Sequence, residues 1–259
     1  MIRGLYTSAW AMKVNAKQMD VITNNLANVN TNAFKKDTVV LETFPEMLTK
    51  KINDINNSGN PTGNIGTMQF GSDIATVYTY FDEGNIQNTG NNLDFAIHNS
   101  NNSFFTIQIT DDEGNITQAY TRDGAFALDA NGMLVTKDGN IVLGENGPII
   151  LNSDNFTVDE NANIIQNGEI VGRFLISTFD DVTVLTKRGG NLLESTVQPQ
   201  QQAFNGTILQ GSLEQSNVNA IKEMVNMINV LRAYEANQKM ITIQDSTLDK
   251  AVNQIGSIG

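Results

Sequence analysis

The sequence contains no cysteine, one histidine, one tryptophan and four prolines among its 259 residues. Without cysteine, disulfide bonds, thiolate nucleophiles and cysteine-bound zinc are all excluded. Basic residues are also scarce, because 16 Lys and Arg stand against 28 acidic residues and give a net charge of −12. Such a charge argues against nucleic acid or an anionic lipid surface as the main partner. No apolar run approaches the roughly 18 residues that a membrane-spanning helix requires.

Charge is unevenly distributed along the chain. Residues 1–51 hold 7 Lys and Arg and 4 Asp and Glu, residues 216–259 hold 4 of each, and the centre carries a net charge of −15. A hydrophobic fraction of 40% is ordinary for a folded protein. We therefore expect an acidic, solvated central body between two weakly charged ends that can pack closely against something. Lys13 and Lys17 interrupt the first apolar run, so we predict no cleaved signal peptide.

Apolar residues near both termini repeat every three and four residues, which is a heptad pattern. The N-terminal positions are Ile2, Leu5, Ala9, Met12, Ala16, Met19, Thr23 and Leu26. A helix over this span is roughly 33 Å long. The C-terminal positions, with two polar interruptions, are Met224, Met227, Leu231, Tyr234, Gln238, Ile241, Asp245, Leu248, Val252 and Ile255. Ile221, Val225 and Ile228 widen the first turns of this second stripe.

Each stripe alone could belong to an amphipathic helix that lies on the central domain. Two heptad stripes at opposite ends of one chain instead favour pairing with each other, and a domain that joins them at one end requires an antiparallel arrangement. The predicted fold is therefore α+β, with the N- and C-terminal helices pairing as an antiparallel coiled coil beside a central all-β domain of many short strands. We expect both stripes to be exposed and partly unfolded in an isolated monomer, because one helix gains little stability alone.

The centre of the chain has the composition of short β-strands. GSDIATVYTYF, FFTIQIT, GRFLISTF and VTVLT are rich in β-branched and aromatic residues in alternation. Four turn sequences, DEGN at 82, DDEGN at 111, DANG at 129 and KDGN at 137, supply the Gly or Asn that tight turns need. Their spacing does not match a calcium-binding loop of the EF-hand type.

These patterns divide the chain into four segments. Residues 1–36 form the N-terminal heptad helix with an exit motif, and residues 213–259 form the C-terminal heptad helix. Residues 37–66 form an extended or flexible linker, because the stretch from 50 to 67 is rich in Asn and Gly. Residues 67–212 form the central β domain.

The sequence offers little for catalysis. The single histidine, His98, lies between two strand-like runs, and no cysteine or GxSxG serine supplies a nucleophile. We therefore predict that the protein is not an enzyme and uses no cofactor, metal, nucleic acid or small-molecule substrate. A carboxylate pair for sugar hydrolysis stays open as an alternative, because the acidic centre contains many carboxylates.

Four stretches resemble the axial proteins of the bacterial flagellum. NNLANVNTNAFKK (24–36) is similar to their N-terminal signature, and LEQSNVNAIKEMVNMINVLRAYEANQKMI (213–241) is similar to the C-terminal signature of rod and hook proteins. GNIQNTGNNLDFAI (84–97) and AYTRDGAFALDANGMLVTKDG (119–139) resemble the rod type. The resemblance covers nearly the whole chain, and the basal-body rod family matches best because hook proteins usually carry a further large domain.

Within the rod family, TRDGAF and the long loop after Phe34 resemble the distal subtype. TFPEML, GENGPI and VGRFLIS resemble a proximal subtype, and the distal subtype is the slightly better match.

Two positions depart from the family pattern. Ala33 stands where glycine is common, so a positive φ is less comfortable there, and residues 98–103 replace a glycine-rich turn.

The resemblance implies a structural subunit of the flagellar basal-body rod, which self-assembles into a helical tube and transmits torque from motor to hook. The implied partners are further copies of the chain, other rod and hook subunits and the flagellar export apparatus, with ring proteins around the rod as further candidates. It also implies unfolded export without a cleaved signal to the periplasmic side of the cell envelope. The terminal helices would line the inner tube.

The expected assembly residues are of two kinds. Asn24, Asn25 and Asn28 would cap the helix end and donate hydrogen bonds to neighbouring subunits, because amides satisfy end carbonyls and tolerate unusual φ. Phe34 would anchor the exit by packing. The expected seam residues are Leu5, Met12, Met19, Leu26, Met227, Leu231, Tyr234, Ile241 and Leu248. An amide-rich surface turn without a partner is the alternative for the asparagines.

Two other classes of protein stay open. One is a secreted hydrolase of cell-wall sugars, which turnover on peptidoglycan would support. The other is a carbohydrate-binding β-domain with helical ends, which specific glycan binding would support.

Overall fold

Contacts along the chain divide it into two units. The structure is a computed structural model that describes residues 2–50, 64–69, 71–110, 114–151, 156–197 and 204–255. We name the units by their content. The helical unit comprises Met1–Asn24, Asp37–Tyr78 and Ile221–Gly259, and the β unit comprises Asn25–Lys36 and Thr79–Ala220. The prediction of an α+β protein with two terminal helices and a β-rich domain is confirmed.

Two long helices and two β-ribbons account for the described part of the helical unit. α1 spans Ile2–Ala27, its last turn reaching the β unit, and α2 spans Ala220–Lys250, followed by a π-helical turn at Ala251–Ile255. β1 (Asp37–Thr43) pairs with β4 (Ser72–Thr79). β2 (Met47–Lys50) pairs antiparallel with β3 (Asn64–Met68).

α1 is covered on two faces within the helical unit. A Cβ added at Gly4 would lie 2.4 Å from Nε2 of Gln244, so the start of α1 contacts the last third of α2. On a second face, the Trp10 ring meets the Phe44 ring edge-on with centroids 5.1 Å apart. The Lys13 ammonium lies 4.2 Å from the Trp10 ring centroid and 3.5 Å from the Asp73 carboxylate. Packing on both faces explains why this helix is stable despite its many polar residues.

The side chains of α1 that are at least partly buried repeat in a heptad, which we call the covered stripe. Every second position of this stripe lies one residue before the position predicted from the sequence. Leu5, Met12, Met19 and Leu26 are half-buried, as are Asn15 and the neighbouring Gln18, while Ser8 and Ile22 are buried. The predicted positions Ala9, Ala16 and Thr23 are exposed. Ile22 buries more apolar surface than Thr23 would, which favours the observed side of the helix.

The covered stripe of α2 shows the same displacement. The half-buried positions are Met227, Val230, Tyr234, Asn237, Ile241, Gln244 and Leu248. The predicted positions Leu231, Gln238 and Asp245 are exposed. Covering the neutral amide of Gln244 costs less free energy than covering the charge of Asp245, so the stripe lies on the Gln244 side.

The segment predicted as a linker is partly β-structure, which corrects the predicted domain bounds. β1 and β2 lie within residues 37–66, because DTVVLET carries the β-branched residues that favour a strand. Residues 51–63 of that segment lie outside the described residues. β4 was predicted as part of the central β domain, yet it pairs with β1 and belongs almost entirely to the helical unit.

The β unit contains sixteen strands and one short helical turn among its described residues. They are β5 (Ile86–Asn88), β6 (Phe95–His98), β7 (Ser103–Thr110), β8 (Ile116–Thr121), β9 (Phe126–Leu128), β10 (Leu134–Thr136), β11 (Ile141–Gly144), β12 (Gly147–Pro148), β13 (Thr157–Val158), β14 (Asn163–Gln166), β15 (Glu169–Arg173), β16 (Ile176–Thr178), a 3₁₀ turn at Val182–Val184, β17 (Leu185–Gly189), β18 (Leu192–Ser195), β19 (Thr207–Gln210) and β20 (Ser212–Glu214).

A nine-stranded sheet is the main layer of the β unit. Its strand order is β17-β18-β8-β7-β11-β10-β9, with β12 paired to β11 and β16 paired to β7. A three-stranded sheet runs β13-β14-β15, and two pairs, β19-β6 and β20-β5, complete the described pairings. The DANG and KDGN turns connect β9 to β10 and β10 to β11, and Gly132 (φ 75°) and Gly139 (φ 83°) supply their positive φ.

β7 lies between two apolar clusters because alternate side chains of a strand point to opposite faces. Phe105 and Ile107 face a core that also holds Phe95, Phe126 and Phe174. Phe104 faces a second cluster, whose other members are Phe81, Tyr120, Phe179, Leu185 and Leu193. β7 is therefore buried along nearly its whole length, and the unit around it is stabilised mainly by aromatic packing.

Two further boundaries differ from the prediction. The exit motif, expected to belong with the N-terminal helix, belongs from Asn25 onward to the β unit. The C-terminal helix begins at Ala220 and not at 213, because Leu213 and Glu214 continue β20 along β5.

Candidate functional site

An exposed apolar row lies along the first three turns of α2. Its members are Ile221 (76% exposed), Met224 (49%), Val225 (51%), Ile228 (50%) and Leu231 (43%). Their spacing places them on one face of the helix, beside the covered stripe that starts at Met227. A contiguous exposed apolar stripe is typical of a surface that another protein covers. Leu231, predicted as a seam residue, belongs to this row.

The asparagines of the exit segment (residues 25–36) bond locally around the end of α1. Asn25 is 1% exposed. The Asn28 amide N–H donates to the Asn25 carbonyl at 3.2 Å, and the Thr31 hydroxyl donates to Asn28 Oδ1 at 3.2 Å. Asn24 is exposed. Asn25 and Asn28 therefore lie where capping residues are expected, while hydrogen bonds to neighbouring subunits stay a prediction.

Ala33 adopts the left-handed conformation, with φ of 55°. Its amide donates to the Glu214 carbonyl at 2.8 Å, and its side chain is buried. The sequence had marked this position because related proteins commonly carry glycine there. The chain therefore tolerates here a conformation that costs an alanine roughly 1 kcal/mol relative to glycine.

Replacing Ala33 with valine is expected to lower the free energy of unfolding of the β unit by about 1–2 kcal/mol, because a β-branched side chain is strongly disfavoured at positive φ. Ala33→Gly is the matched control. It relieves the strained φ but loses a buried methyl group and adds chain entropy to the unfolded state, so we expect a change within about 1 kcal/mol. Urea denaturation measures both. Equal destabilisation by the two substitutions would contradict the strained φ.

Phe34 is buried against a lysine that also bonds the exit segment. Its ring is 6% exposed, and the Lys187 ammonium lies 4.2 Å from the ring centroid. Lys187 Nζ donates to the Lys35 carbonyl at 2.6 Å. The Asn191 side-chain amide donates to the Asn32 carbonyl. The β17–β18 hairpin therefore holds the exit segment through a cation–π contact and through side-chain hydrogen bonds to its backbone carbonyls.

Three charged side chains form a buried ion cluster beneath the exit segment: Lys35, Arg122 and Glu214. Lys35 Nζ donates to Glu214 Oε1 at 2.5 Å, and Arg122 Nε donates to Glu214 Oε2 at 3.0 Å. None of the three side chains is more than 4% exposed. The Gly84 amide also donates to Glu214 Oε1, at 2.9 Å. Glu214 is thus the central acceptor of the cluster.

Backbone carbonyls accept the remaining donors of the cluster. Arg122 Nη1 donates to the carbonyls of Ser100 (2.5 Å) and Ser103 (2.7 Å), and Lys35 Nζ donates to that of Asp82 (2.7 Å). Arg122 Nη2 has no acceptor within hydrogen-bond distance among the described residues. Two cations share one carboxylate, so the cluster carries a net positive charge that these carbonyl dipoles partly offset.

The cluster changes the proton affinities of its members. Burial alone raises the pKa of Glu214, but the charges of Arg122 and Lys35 and the donated hydrogen bonds outweigh burial and hold that pKa below its usual range. Burial lowers the pKa of the Lys35 ammonium, and the Glu214 carboxylate opposes this effect. Glu214 is therefore ionised at neutral pH and serves as the counter-charge of both cations.

The stretches quoted for the family resemblance converge on this cluster. Lys35 comes from NNLANVNTNAFKK, Arg122 from AYTRDGAF, Glu214 from LEQSNVN and Gly84 from GNIQNTG. Sequence reasoning missed the cluster because it treated these stretches as separate signatures. The available signal was a charged residue directly after a run of apolar or aromatic residues, as in AFK and AYTR, which indicates a buried charge in need of a partner.

The side chain of His98, the single histidine, lies within hydrogen-bond distance of a carboxylate. Its Nδ1 is 2.6 Å from Glu83 Oε1, and the Asn99 amide donates to Glu83 Oε2 at 3.2 Å. Asn99 has a φ of 62°, so an asparagine supplies the positive φ in the turn where related proteins tend to carry glycine.

Neither helix of the described chain is long and apolar enough to cross a membrane.

Three family models match the chain. The model described as flagella basal body rod protein matches residues 5–35, the flagellar hook protein FlgE/F/G D1 domain matches 100–172, and the flagellar basal body rod FlgEFG protein C-terminal model matches 209–255. Together they cover most of α1 and of the exit segment, strands β7 to β12 of the main sheet, and α2.

Full-length relatives agree with the family models. The flagellar basal-body rod protein FlgG of Buchnera aphidicola subsp. Acyrthosiphon pisum is 35% identical, over 96% of this chain and 98% of its own length. The flagellar hook-basal body complex protein FlhO of Bacillus subtilis is 30% identical over the whole of both chains. The flagellar basal-body rod protein FlgF of Caulobacter vibrioides is also 30% identical over the whole of both chains.

The three family models place the chain among the rod and hook proteins of the bacterial flagellum. The matches narrow this class further. The chain belongs to the flagellar basal-body rod protein family and is a structural subunit of the rod in the flagellar basal body.

Proposed function

We propose that the terminal helices pair as an antiparallel coiled coil and form the inner part of a helical polymer of this chain. The contact between Gly4, at the start of α1, and Gln244, near the end of α2, supports the antiparallel direction. The half-buried heptad positions of both helices support a coiled-coil seam. Leu5, Met12 and Met19 of α1 face this seam together with Met227, Tyr234, Ile241 and Leu248 of α2.

The exposed apolar row of α2 is the surface that the next subunit covers, and it is the observation that carries the proposal. It lies beside the seam, so one helix can contact its own partner helix and a second copy at the same time. A row that meets a different surface on the next copy makes a heterologous contact, which generates an open helical polymer when the rotation does not close. A rod of this kind resists twisting and transmits torque.

Among the rod subtypes, we assign the chain to the distal rod protein. The relatives named FlgG, at 32–35% identity, support that assignment over FlgF and FlhO, at 30%. Other rod and hook subunits are then the neighbours of the polymer at its two ends. In this proposal the flagellar export apparatus delivers the chain, ring proteins surround the rod, and the polymer lies on the periplasmic side of the cell envelope.

Ile228→Lys in the full-length chain is expected to abolish self-association at concentrations where the wild type forms growing oligomers. A lysine in the row cannot be buried against a second copy without a counter-charge. Asn229→Lys is the matched control, because it adds the same charge one residue away on an exposed position. Sedimentation velocity across a concentration series measures the association, and circular dichroism checks that α2 still forms.

Two results would contradict the proposal. If Ile228→Lys associates like the wild type, the row is not the contact surface. If the wild-type chain stays monomeric at every concentration, both alone and mixed with other rod subunits, self-assembly is not its function.

A further inference from the structure

The chain passes between its two units after residues 24, 36, 78 and 220. Near three of these four passages, on the β-unit side, lie Asn217 and two residues that bond to its side chain, Lys36 and Tyr80. Lys36 directly precedes the second passage, Tyr80 lies two residues beyond the third, and Asn217 itself lies three residues before the fourth. Asn217 was not among the residues predicted from the sequence.

Asn217 uses both ends of its amide. Its Oδ1 accepts from the Lys36 backbone N–H at 2.8 Å. Its Nδ2 donates to the Tyr80 carbonyl at 2.9 Å and to the Asp82 carbonyl at 3.1 Å. Its own backbone N–H donates to the Phe34 carbonyl at 3.3 Å. A side-chain amide accepts through its oxygen while donating two N–H groups, so it can bond one backbone segment as acceptor and another as donor, which neither a carboxylate nor an ammonium can do.

Neighbouring contacts hold Asn217 and its partners in place. The Tyr80 amide donates to the Lys36 carbonyl at 2.9 Å, so two of the three segments also bond to each other directly. The Ser216 hydroxyl accepts from the Val218 amide at 3.2 Å, and the Gln215 amide donates to the Asn85 carbonyl at 2.8 Å. Asn217 therefore projects from a segment that is fixed on both sides.

We propose that Asn217 is a positioning residue for rod assembly: it clasps the three passage segments so that they leave the β unit as one fixed bundle. This proposal rests on the proposed function, because the fixed bundle matters only if the subunit must transmit force between its units. Without the Asn217 side chain, the segments keep the backbone bonds Tyr80–Lys36 and Asn217–Phe34 but lose three side-chain hydrogen bonds, so they are held less firmly. Subunits in that condition add to a polymer less readily, since ordering the segments then costs entropy at each addition.

The test is amide hydrogen exchange on the full-length monomer, followed by sedimentation velocity. Asn217→Ala is expected to speed exchange at the Lys36 amide by at least fivefold, since one hydrogen bond of ordinary strength is lost, and to weaken self-association. Asn88→Ala, an exposed asparagine of β5, is the matched control and is expected to change neither. Asn217→Asp keeps the acceptor for Lys36 but loses both donors, so it is expected to preserve Lys36 protection more than alanine does and still to weaken association.

A second control separates positioning from general stability. Ile164→Val shortens a fully buried core residue of the β unit and lowers its Tm without touching the passage segments. At a temperature well below both Tm values, this variant is expected to associate like the wild type while Asn217→Ala does not.

Each contrary outcome has a separate meaning. If the Lys36 amide stays protected in Asn217→Ala, the clasp is wrong. If protection is lost but association is unchanged, or if Ile164→Val weakens association equally, the positioning role is wrong. If the wild type does not associate at all, the proposed function fails, and the positioning role falls with it, while the exchange data still decide whether the clasp exists.

Discussion

Glu214→Gln is expected to lower the free energy of unfolding of the β unit by about 3–5 kcal/mol, the usual cost of removing one partner from a buried ion pair. Glu214 is the shared counter-charge of Lys35 and Arg122, and both cations stay buried after the substitution. Glutamine has nearly the same shape, so the loss reports charge and not packing. The amide nitrogen of the glutamine would also face a donor that formerly gave its hydrogen bond to a carboxylate oxygen.

Glu194→Gln is the matched control for this prediction. Glu194 pairs with Arg188 at 2.5 Å, but both side chains are more than a third exposed. Exposed pairs contribute about 0–1 kcal/mol, so this variant is expected to unfold close to the wild type. Urea denaturation followed by near-ultraviolet circular dichroism compares the two. A loss below about 1 kcal/mol in Glu214→Gln would show that the buried cluster is not a stabilising unit.

Acid is expected to destabilise the wild type more than Glu214→Gln. Because the folded-state pKa of Glu214 lies below its unfolded value of about 4.5, its contribution is fully present above that pH. The contribution is lost as pH falls through the lower, folded-state pKa. Burial raises the pKa of Asp123, so protonation of Asp123 in acid favours the folded state. This effect is the same in the wild type and in Glu214→Gln, and it cancels in their difference. The stability difference between the variants should therefore shrink below about pH 4.5, and a constant difference would contradict it.

Gly84→Ala is expected to lower the free energy of unfolding of the β unit by about 2–3 kcal/mol, at the upper end of what overpacking usually costs. A Cβ at this position would lie 1.9 Å from the Gln215 carbonyl oxygen. That oxygen belongs to the backbone, so it cannot rotate away as a side chain could. The residue also donates its amide to Glu214, and any shift that relieves the clash weakens the buried ion cluster as well.

Gly172→Ala is the matched control, because a Cβ there meets nothing within 4 Å and the φ of Gly172 is not in the left-handed region. It is expected to leave stability within about 0.5 kcal/mol of the wild type. Thermal unfolding distinguishes the two alanine variants. If both behave alike, the close approach between the segments at Gly84 and Gln215 is wrong.

The sequence alone was most informative at the helices and at the turns. The heptad spacing located α1 and α2, and the DANG and KDGN turns located two hairpins. The sequence was less informative about which side of each helix is covered, because every second covered position lies one residue from the predicted one. A 3.5-residue pattern permits more than one side of a helix, and the choice between Ile22 and Thr23 depends on where the partner surfaces lie.

The same limit applies to the site. Asn25, Asn28 and Phe34 were identified from the exit motif, and Ala33 was identified as a strained position. Arg122, Glu214 and Asn217 were not, although each lies in a quoted signature. Sequence shows that a charge follows an apolar run, but it does not show which distant segment provides the opposite charge.

The amino-acid sequence by itself determined that this is an acidic, cysteine-free α+β protein with a helix at each end and the signatures of a flagellar rod subunit. Periodicity, turn chemistry and composition are local properties, so they can be read along the chain. The tertiary structure decided which strands join the helices, which helix face stays exposed and which residues meet in the buried ion cluster. The buried ion cluster, for example, depends on contacts between residues 87 to 179 positions apart, since Lys35 meets Arg122 and Glu214 through one carboxylate. Only the folded chain brings such residues within hydrogen-bond distance.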